Sequence, residues 1–316
     1  MYYLGIDLGG TNIAAGIVDE NHKILAKGSV PTLSKRPLDE IMTDMANLCK
    51  RLISDMGITV NDIEYAGIAS PGTCDSENGV VVFSNNIVMH NYPIAAVLKE
   101  KLGVEKVLID NDANSAALAE AIAGAAKGAS SAIMITLGTG VGGGIIIDGK
   151  IFSGHNHAGA ELGHMVIEKG GRQCTCGRRG CWETYSSATG LINMTREKME
   201  QVKDSAMWEL VGGDINAVGG KTAFQAKRMN DKAGAEVVDS YIEYLAEGLT
   251  NITNIFQPEV ICIGGGVCNE GEYLMAPLRE LVHKNNFARN SASQTRITRA
   301  TLGNDAGIIG AAALGL

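Results

Sequence analysis

The sequence predicts an α/β fold of two tightly joined lobes with a central cleft. Three observations support this prediction: 316 residues leave room for two cores, strand and helix patterns alternate, and one glycine-rich pattern occurs twice. No stretch rich in proline or serine separates the two halves, as a flexible linker would. We therefore expect two related lobes rather than independent domains on a tether.

The first half of the chain predicts a hairpin, further strands and two helices. Residues 3–24 alternate small and apolar side chains around Leu8-Gly9-Gly10-Thr11-Asn12, which is typical of a β-hairpin with a glycine turn. Apolar residues at helical spacing predict a helix over residues 37–56. Further elements are expected as a strand over 65–69, a strand ending near Phe83, a strand over 104–109 and an alanine-rich helix from 110 to about 126.

The opening pattern returns in the middle of the chain. Gly5–Asp19 aligns without a gap with Met134–Asp148, because both read apolar strand, glycine turn, apolar strand and Asp. An ancient duplication explains the match, although one repeat of short glycine-rich hairpins can also arise by chance. The remaining patterns predict helices near 187–202 and 220–256, a buried strand at 260–267 that enters a third glycine loop, and a small-residue helix at 304–313.

Composition argues against several classes of protein. The formal net charge of −8 and the lack of a basic tract disfavour nucleic-acid binding. No apolar run approaches the ~20 residues that span a bilayer, and the N-terminus lacks the basic segment of a secretion signal. The cysteines outside one cluster are scattered and indicate small buried side chains in a reducing cytoplasm. We expect a cytoplasmic protein without nucleic-acid or membrane partners.

One imidazole and three thiols lie close together in the sequence, at His164, Cys174, Cys176 and Cys181. Cysteines separated by one or four residues can turn inward together, and the glycines between them permit the tight turns that this needs. Three thiolates and one imidazole fill a tetrahedral zinc site, so the pattern predicts a structural Zn²⁺ with no open catalytic position. Free cysteines plus a disulfide are the alternative.

Two carboxylates flank this cluster. Glu161 lies one helical turn before His164, and Glu183 lies two residues after Cys181. A metal ion that fixes these groups would shape a polar binding pocket, because ligands around a metal hold their neighbours in place.

Three glycine turns follow three apolar strands. Backbone N–H groups in such turns form nests that bind phosphate, and only glycine lets a phosphate approach so closely. The P-loop pattern is absent, and Gly138–Gly143 matches the dinucleotide-binding pattern by letters only, since it runs into a strand and not a helix. Ordinary hairpin turns are the alternative. The first two turns also carry threonines whose hydroxyls can donate to phosphate oxygens: Thr11, Thr136 and Thr139.

Two acidic positions complete the pattern. Asp7 ends the first strand beside a glycine turn, and a carboxylate beside phosphate implies Mg²⁺ between them unless Asp7 only forms the turn. Asp110-Asn111-Asp112 lies at a strand-to-helix junction, where helix capping alone favours Asp. The functional interpretation is that one Asp accepts the proton of a hydroxyl that attacks a phosphoryl group. Asn86 and Asn111 could hold sugar hydroxyls, because an amide both donates and accepts.

These motifs resemble the ROK family (repressors, open reading frames, sugar kinases) nearly end to end, and within it the bacterial ATP-dependent glucokinases. The resemblance implies the actin-like ATPase (ribonuclease H-like) fold, with a small lobe of residues 1–111 and 301–316 and a large lobe of residues 112–300. It implies phosphorylation of a hexose, foremost glucose to glucose 6-phosphate. The motifs are Asp7-Leu-Gly-Gly-Thr11, Ser70-Pro-Gly72, Asn111-Asp-Ala-Asn114, Leu137-Gly-Thr-Gly140, Gly159-Ala-Glu-Leu-Gly-His164, Cys174-x-Cys-Gly-x-x-Gly-Cys-x-Glu183 and Ile263-Gly-Gly-Gly266.

The resemblance also implies roles for single residues. Asp112, and not Asp110, matches the general base. His164 matches a sugar-binding position as well as a zinc ligand. The sugar-binding positions are matched by Gly72, Asn86, Asn111, Glu161, His164 and Glu183. The positions that bind ATP and Mg²⁺ are matched by Asp7, Gly9, Gly10, Thr11, Thr139, Gly140, Gly265 and Gly266.

Two departures from the family pattern leave alternatives open. Asn12 stands where Lys often follows the first phosphate turn, so ATP and polyphosphate are both candidate donors. Asn85 competes with Asn86 for the sugar, because Ser-Asn-Asn replaces the usual Pro-Asn. The alternative functions are a kinase for N-acetylglucosamine, N-acetylmannosamine, mannose or fructose, and a non-catalytic sugar sensor. A homodimer is the expectation that the family gives.

Overall fold

Thirteen strands and ten helices make up the computed structural model, which describes residues 1–316. The strands are β1 Tyr2–Leu8, β2 Asn12–Asp19, β3 Ile24–Pro31, β4 Ile63–Ser70, β5 Thr73–Asp75, β6 Val80–Ser84, β7 Met89–Tyr92, β8 Val107–Asn111, β9 Ala132–Leu137, β10 Val141–Ile147, β11 Lys150–Ile151, β12 Val260–Gly264 and β13 Arg296–Arg299. The helices are α1 Leu38–Asp55, α2 Ile94–Leu102, α3 Asp112–Ile122, α4 Glu183–Ser186, α5 Ala188–Gln201, α6 Ala206–Leu210, α7 Thr222–Arg228, α8 Lys232–Phe256, α9 Glu272–Asn285 and α10 Ala306–Ala312.

Two five-stranded sheets have the same plan. Their strand orders are β3-β2-β1-β4-β8 and β11-β10-β9-β12-β13, and a smaller sheet has the order β5-β6-β7. In the first sheet β1 and β2 form the expected antiparallel hairpin, while β4 and β8 extend the sheet in parallel. The α/β class is therefore confirmed, and the matching orders support a duplication. Sequence patterns did not predict β3, because its residues alternate between exposed and half-buried without a strong apolar face.

By packing, the chain divides into two compact units. The first unit contains residues 1–134, 144–160 and 300–316, and the second unit contains residues 135–143 and 161–299. Glu120 on α3 is buried and accepts hydrogen bonds from the backbone N–H groups of Thr301 and Leu302, each at 2.8 Å. The lobes expected from the sequence differ, since their large lobe also contains residues 112–134, 144–160 and 300. Here α3 packs against α10 and also contacts β11, which keeps both segments in the first unit.

Helix boundaries follow local chemistry. The apolar residues that predict α1 all face the core, and Ile41, Met45, Leu48 and Leu52 are buried. The helical stretch expected over 220–256 is two helices, α7 and α8. Asn230 adopts a left-handed conformation between them, with φ of 62°, and the Asp231 carboxylate caps α8. No helix in the chain is both long enough and apolar enough to cross a bilayer.

Close contact between α10 and the first sheet depends on glycine. A methyl group at Gly5 would lie 1.9 Å from the Ile308 carbonyl oxygen, and one at Gly67 would lie 1.8 Å from the Ala311 carbonyl oxygen. Neither distance is possible for non-bonded atoms, so the helix can rest on β1 and β4 only because these side chains are absent.

Replacing Gly67 by alanine should therefore push α10 away from the sheet. We expect Gly67→Ala to lower the free energy of unfolding by at least about 2 kcal/mol, because backbone atoms cannot yield as a flexible side chain does. Urea denaturation measures this. Gly220→Ala is the control, since a methyl group there meets no atom within 4 Å. Equal stability of the two variants would contradict the argument.

Candidate active site

Three neighbouring parallel strands of the first sheet end at one edge. Asp7 on β1 lies opposite Ala69 on β4, and Ala69 lies opposite Asp110 on β8. The chain after each strand therefore emerges at the same edge, which is where ligands bind in open α/β sheets. The glycine turn at 9–11, Gly72 and Asp112 follow these three strands directly.

A buried threonine fixes the first glycine turn. The Thr32 hydroxyl donates to the Gly9 carbonyl at 2.6 Å, and the Thr32 N–H donates to the Thr11 carbonyl at 2.8 Å. The side chain of Asn86 lies against Gly10, whose missing methyl group would be 3.8 Å from the Asn86 Cβ. Gly10, Thr11 and Asn86 are all exposed, so a ligand can reach them. Sequence reasoning missed Thr32, because one threonine at a strand end carries no recognisable motif.

Asn111 is held tightly by its own unit. As the N-cap of α3 its side-chain oxygen accepts hydrogen bonds from the N–H groups of Ala113 and Asn114, and its amide donates to the Gly72 carbonyl at 3.0 Å. The contact fixes Gly72, whose φ of 91° and lack of space for a methyl group require glycine. One amide N–H of Asn111 stays available for a ligand, since the group has two.

The two aspartates around Asn111 have different environments. Asp110 is buried and accepts hydrogen bonds from the Asn111 N–H and the Asn114 side chain, and burial raises its pKa above the ordinary range. Asp112 is exposed at the first turn of α3. A group that must accept a proton from a substrate has to be reachable, which favours Asp112.

Asp7 is a carboxyl group with little access to water. Burial, together with the negative charge of Asp112, raises the pKa of Asp7 to about 6. Part of this burial comes from α10, because a methyl group at Gly307 would lie 2.4 Å from an Asp7 carboxylate oxygen. Two carboxylates that repel each other at the end of a sheet form an arrangement that a cation would stabilise.

The imidazole and three thiols of the second unit converge on one point. A single 3₁₀ turn, Leu162–His164, presents the imidazole, and the ligand atoms of His164, Cys174, Cys176 and Cys181 all lie within 4.8 Å of one another. Cys174 Sγ is 3.6 Å from His164 Nδ1, and Cys176 Sγ is 3.6 Å from Cys181 Sγ. This cluster could hold a metal ion.

Both flanking glutamates touch this cluster. His164 Nε2 is 3.9 Å from a Glu161 carboxylate oxygen, so the ring faces the thiols with one nitrogen and Glu161 with the other. One carboxylate oxygen of Glu183 lies 3.7 Å from Cys174 Sγ. The other accepts a hydrogen bond from the Val141 N–H at 3.1 Å. Through Glu183 the cluster is joined to the second glycine turn.

The second and third glycine turns are also neighbours. A methyl group at Gly140 would lie 2.1 Å from the Glu183 carboxylate, and one at Gly265 would lie 2.2 Å from the Leu137 carbonyl oxygen. Gly265 has a φ of 99°, which favours glycine, and Thr139, Gly265 and Gly266 are exposed. The loop after β12 therefore passes the end of β9.

The site residues predicted from sequence are divided between the two units. The first unit carries Asp7, Gly9, Gly10, Thr11, Gly72, Asn86, Asn111 and Asp112. The second unit carries Thr139, Gly140, Glu161, His164, Cys174, Cys176, Cys181, Glu183, Gly265 and Gly266.

Comparison with known proteins defines the class of fold and then the family. The structure of a ROK family glucokinase from Streptomyces griseus, in complex with glucose and AMPPNP, matches with a TM-score of 0.82 at 32% identity, covering 99% of each chain. The fold is thus the actin-like ATPase fold of sugar kinases, as the resemblance implied. A model of the ROK family matches residues 3–316, and the chain belongs to that family.

Two curated relatives are similar over nearly their whole length. The glucokinase of Thermotoga maritima is 37% identical over 315 residues, which cover 98% of this chain and 96% of the relative. The N-acetyl-D-glucosamine kinase of Aliivibrio salmonicida is 32% identical over 327 residues, which cover 100% of both chains.

The raised pKa of Asp7 predicts how stability depends on pH. The carboxyl group is protonated more readily in the folded chain, so its contribution to stability is present below about pH 4 and is lost as the pH rises through about 6. Asp7→Asn should therefore be more stable than the unmodified chain at pH 7.5 by about 1–3 kcal/mol, and equal to it near pH 4. Urea denaturation without divalent cations tests this.

Asp55→Asn is the matched control, because Asp55 is exposed at the end of α1. A stability difference between Asp7→Asn and the unmodified chain that stays constant from pH 4 to 7.5 would contradict the assignment.

Proposed function

We propose that the protein is an ATP-dependent glucokinase that phosphorylates the C6 hydroxyl of glucose. One observation carries the proposal: an exposed carboxylate, Asp112, stands at the same sheet edge as a glycine turn whose residues Gly10 and Thr11 are exposed. Phosphoryl transfer needs this pairing of a proton acceptor with a phosphate nest. Similarity over nearly the full chain to the Thermotoga maritima glucokinase supports glucose as the acceptor.

In this proposal Asp112 takes the proton of the C6 hydroxyl as that oxygen attacks the γ-phosphoryl group in line. The ring hydroxyls are oriented by charge-assisted hydrogen bonds, each worth roughly 1.5–3 kcal/mol. Asn111 can offer only its remaining N–H, so the carboxylates and the imidazole should orient the sugar more strongly. The proposed sugar contacts are Gly72, Asn86, Asn111, Glu161, His164 and Glu183.

The phosphates of ATP would be bound by backbone N–H groups and hydroxyls of the two glycine turns, and the adenosine by the third. Mg²⁺, when bound, would neutralise the triphosphate, and the half-buried carboxylate of Asp7 beside Asp112 has the chemistry to hold it. The proposed donor contacts are Gly9, Gly10, Thr11, Thr139 and Gly140 for phosphate, Gly265 and Gly266 for adenosine, and Asp7 for Mg²⁺.

We propose Zn²⁺ as the metal of the Cys₃His cluster. In a tetrahedral site with Zn–S bonds of about 2.3 Å, neighbouring ligand atoms lie roughly 3.5–3.8 Å apart. The separations of 3.6 Å between Cys176 and Cys181 and between Cys174 and His164 fit that geometry. The ion would be structural, since four protein ligands fill its coordination sphere, and it would hold His164 and Glu183 in place for the sugar.

A second acceptor is supported by one specific observation. The N-acetyl-D-glucosamine kinase of Aliivibrio salmonicida aligns with the whole chain, so N-acetylglucosamine is the first alternative to glucose. We propose the cytoplasm as the compartment, which agrees with seven free cysteines. A homodimer is proposed on the family resemblance alone, and light scattering would test it.

The substitution Asp112→Asn tests the proposed role of Asp112 as the general base. We expect kcat with Mg-ATP and glucose to fall by about 10²–10⁴ while glucose binding persists, because the amide cannot accept the proton but keeps the shape of the side chain. Coupled ADP release measures turnover, and calorimetry measures glucose binding. Asp55→Asn is the control on an exposed helix end. Full activity of Asp112→Asn would remove Asp112 from the mechanism.

The same ADP-release assay with a panel of hexoses tests the acceptor. Glucose should give the highest kcat/KM, with N-acetylglucosamine, mannose and fructose below it. A higher value for N-acetylglucosamine would replace glucose, and glucose binding without turnover on any sugar would favour a sensor or polyphosphate as donor.

The metal is tested by Cys176→Ser. We expect zinc content to fall from about one per chain to near zero and glucose affinity to fall with it, by about 10–100-fold, because the ion positions His164 and Glu183. Atomic absorption and calorimetry measure the two quantities. Thr175→Ala is the matched control, being an exposed neighbour in the same loop. Loss of zinc with unchanged glucose affinity would break the proposed link.

A further inference from the structure

A cavity lies near the first glycine turn, entirely within the first unit, and Leu38 and Val88 supply its apolar walls. Its volume is about 450 Å³. None of its lining residues is acidic. Its polar lining consists of two basic side chains, a hydroxyl and two amides, from Ser34, Lys35, Arg36, Asn85 and Asn86. Groups of this kind bind phosphate, because cations supply attraction and amides and hydroxyls donate hydrogen bonds.

Arg36 is held in one orientation. Its Nε donates to the Thr32 carbonyl at 3.0 Å, and its Nη1 pairs with the Asp44 carboxylate at 2.6 Å. Its Nη2 is buried and has no hydrogen-bond partner. Such an orphaned donor on a cation is costly, so it marks a place where an acceptor is expected.

Lys35 gives the cavity its net positive charge. Asp44 offsets the charge of Arg36, whereas Lys35 is exposed and no carboxylate lies within ion-pair distance of it. An ammonium group on a flexible stem can move to meet a phosphate, while the fixed guanidinium of Arg36 gives direction.

The cavity is joined to the glycine turn by two contacts. Thr32, which accepts the Arg36 hydrogen bond, itself donates to the carbonyls of Gly9 and Thr11. Asn86 lines the cavity and also lies against Gly10. A ligand here would therefore contact residues that set the position of the turn.

We propose that this cavity is a binding site for a phosphate-bearing anion, distinct from the phosphate nest of the glycine turn. The shared chemistry is a dianionic phosphate group, which either a chain of inorganic phosphate or a phosphorylated sugar can supply. Asn86 is also a proposed sugar contact, so this site adjoins the proposed sugar site. It goes beyond the proposed kinase function, because it takes a phosphate anion and binding requires no turnover.

Calorimetric titration tests the site with three probes: inorganic phosphate, inorganic tripolyphosphate and glucose 6-phosphate. Lys35→Glu should weaken the best-bound probe at least about tenfold, since a cation in the site becomes an anion. Lys50→Glu is the matched control, with the same charge reversal at an exposed position of α1. Thr11→Val perturbs the glycine turn and should leave binding at the cavity in place.

Each outcome decides the proposal. Lys35-dependent binding that is tightest for tripolyphosphate identifies an extended phosphate chain, and binding that is tightest for glucose 6-phosphate identifies a sugar phosphate. Equal effects of Lys35→Glu and Lys50→Glu, loss of binding in Thr11→Val alone, or no binding of any probe would each overturn it. Because the experiment contains no sugar acceptor or ATP, its failure is separate from failure of the kinase assay.

Discussion

The parallel pairing of β1, β4 and β8 is the constraint on which the site of the first unit depends. This register sets Asp7, Ala69 and Asp110 side by side, so that three loops leave the sheet at one edge. A shift by one residue would turn every side chain to the opposite face and move Asp7 away from its neighbours. The close approach of α10 locks the arrangement, because the glycines under that helix admit no other side chain.

At this edge of the sheet, burial disfavours the charged form of Asp7. The packing that fixes Asp7 also removes water from it, and the charge of Asp112 adds repulsion, so the carboxyl group is neutral more readily than usual. Stability is thus lost at a residue for which we propose a role in binding Mg²⁺, and such losses are common at active sites. A cation at this position would relieve both costs.

In the second unit, a cluster of side chains on loops positions the polar groups. Its loops between residues 161 and 183 have little regular structure, and the convergence of one imidazole and three thiols ties them together. Glu161 and Glu183 are fixed through that cluster, and Glu183 reaches the glycine turn as well. The proposed Zn²⁺ would give these short irregular loops the rigidity that a sheet gives to the first unit.

The sequence by itself determined the α/β class, the two glycine hairpins and the Cys₃His cluster, because each depends on residues close together in the chain. It also separated Asp112 from Asp110, but only through a family resemblance. Tertiary structure alone decided three features. The Thr32 hydroxyl donates to the Gly9 carbonyl of the glycine turn, the Asn111 side chain both caps α3 and donates to the Gly72 carbonyl, and a cavity forms at Lys35 and Arg36. These features join segments that lie tens of residues apart, and no local periodicity or propensity encodes which distant backbone carbonyl a side chain will meet.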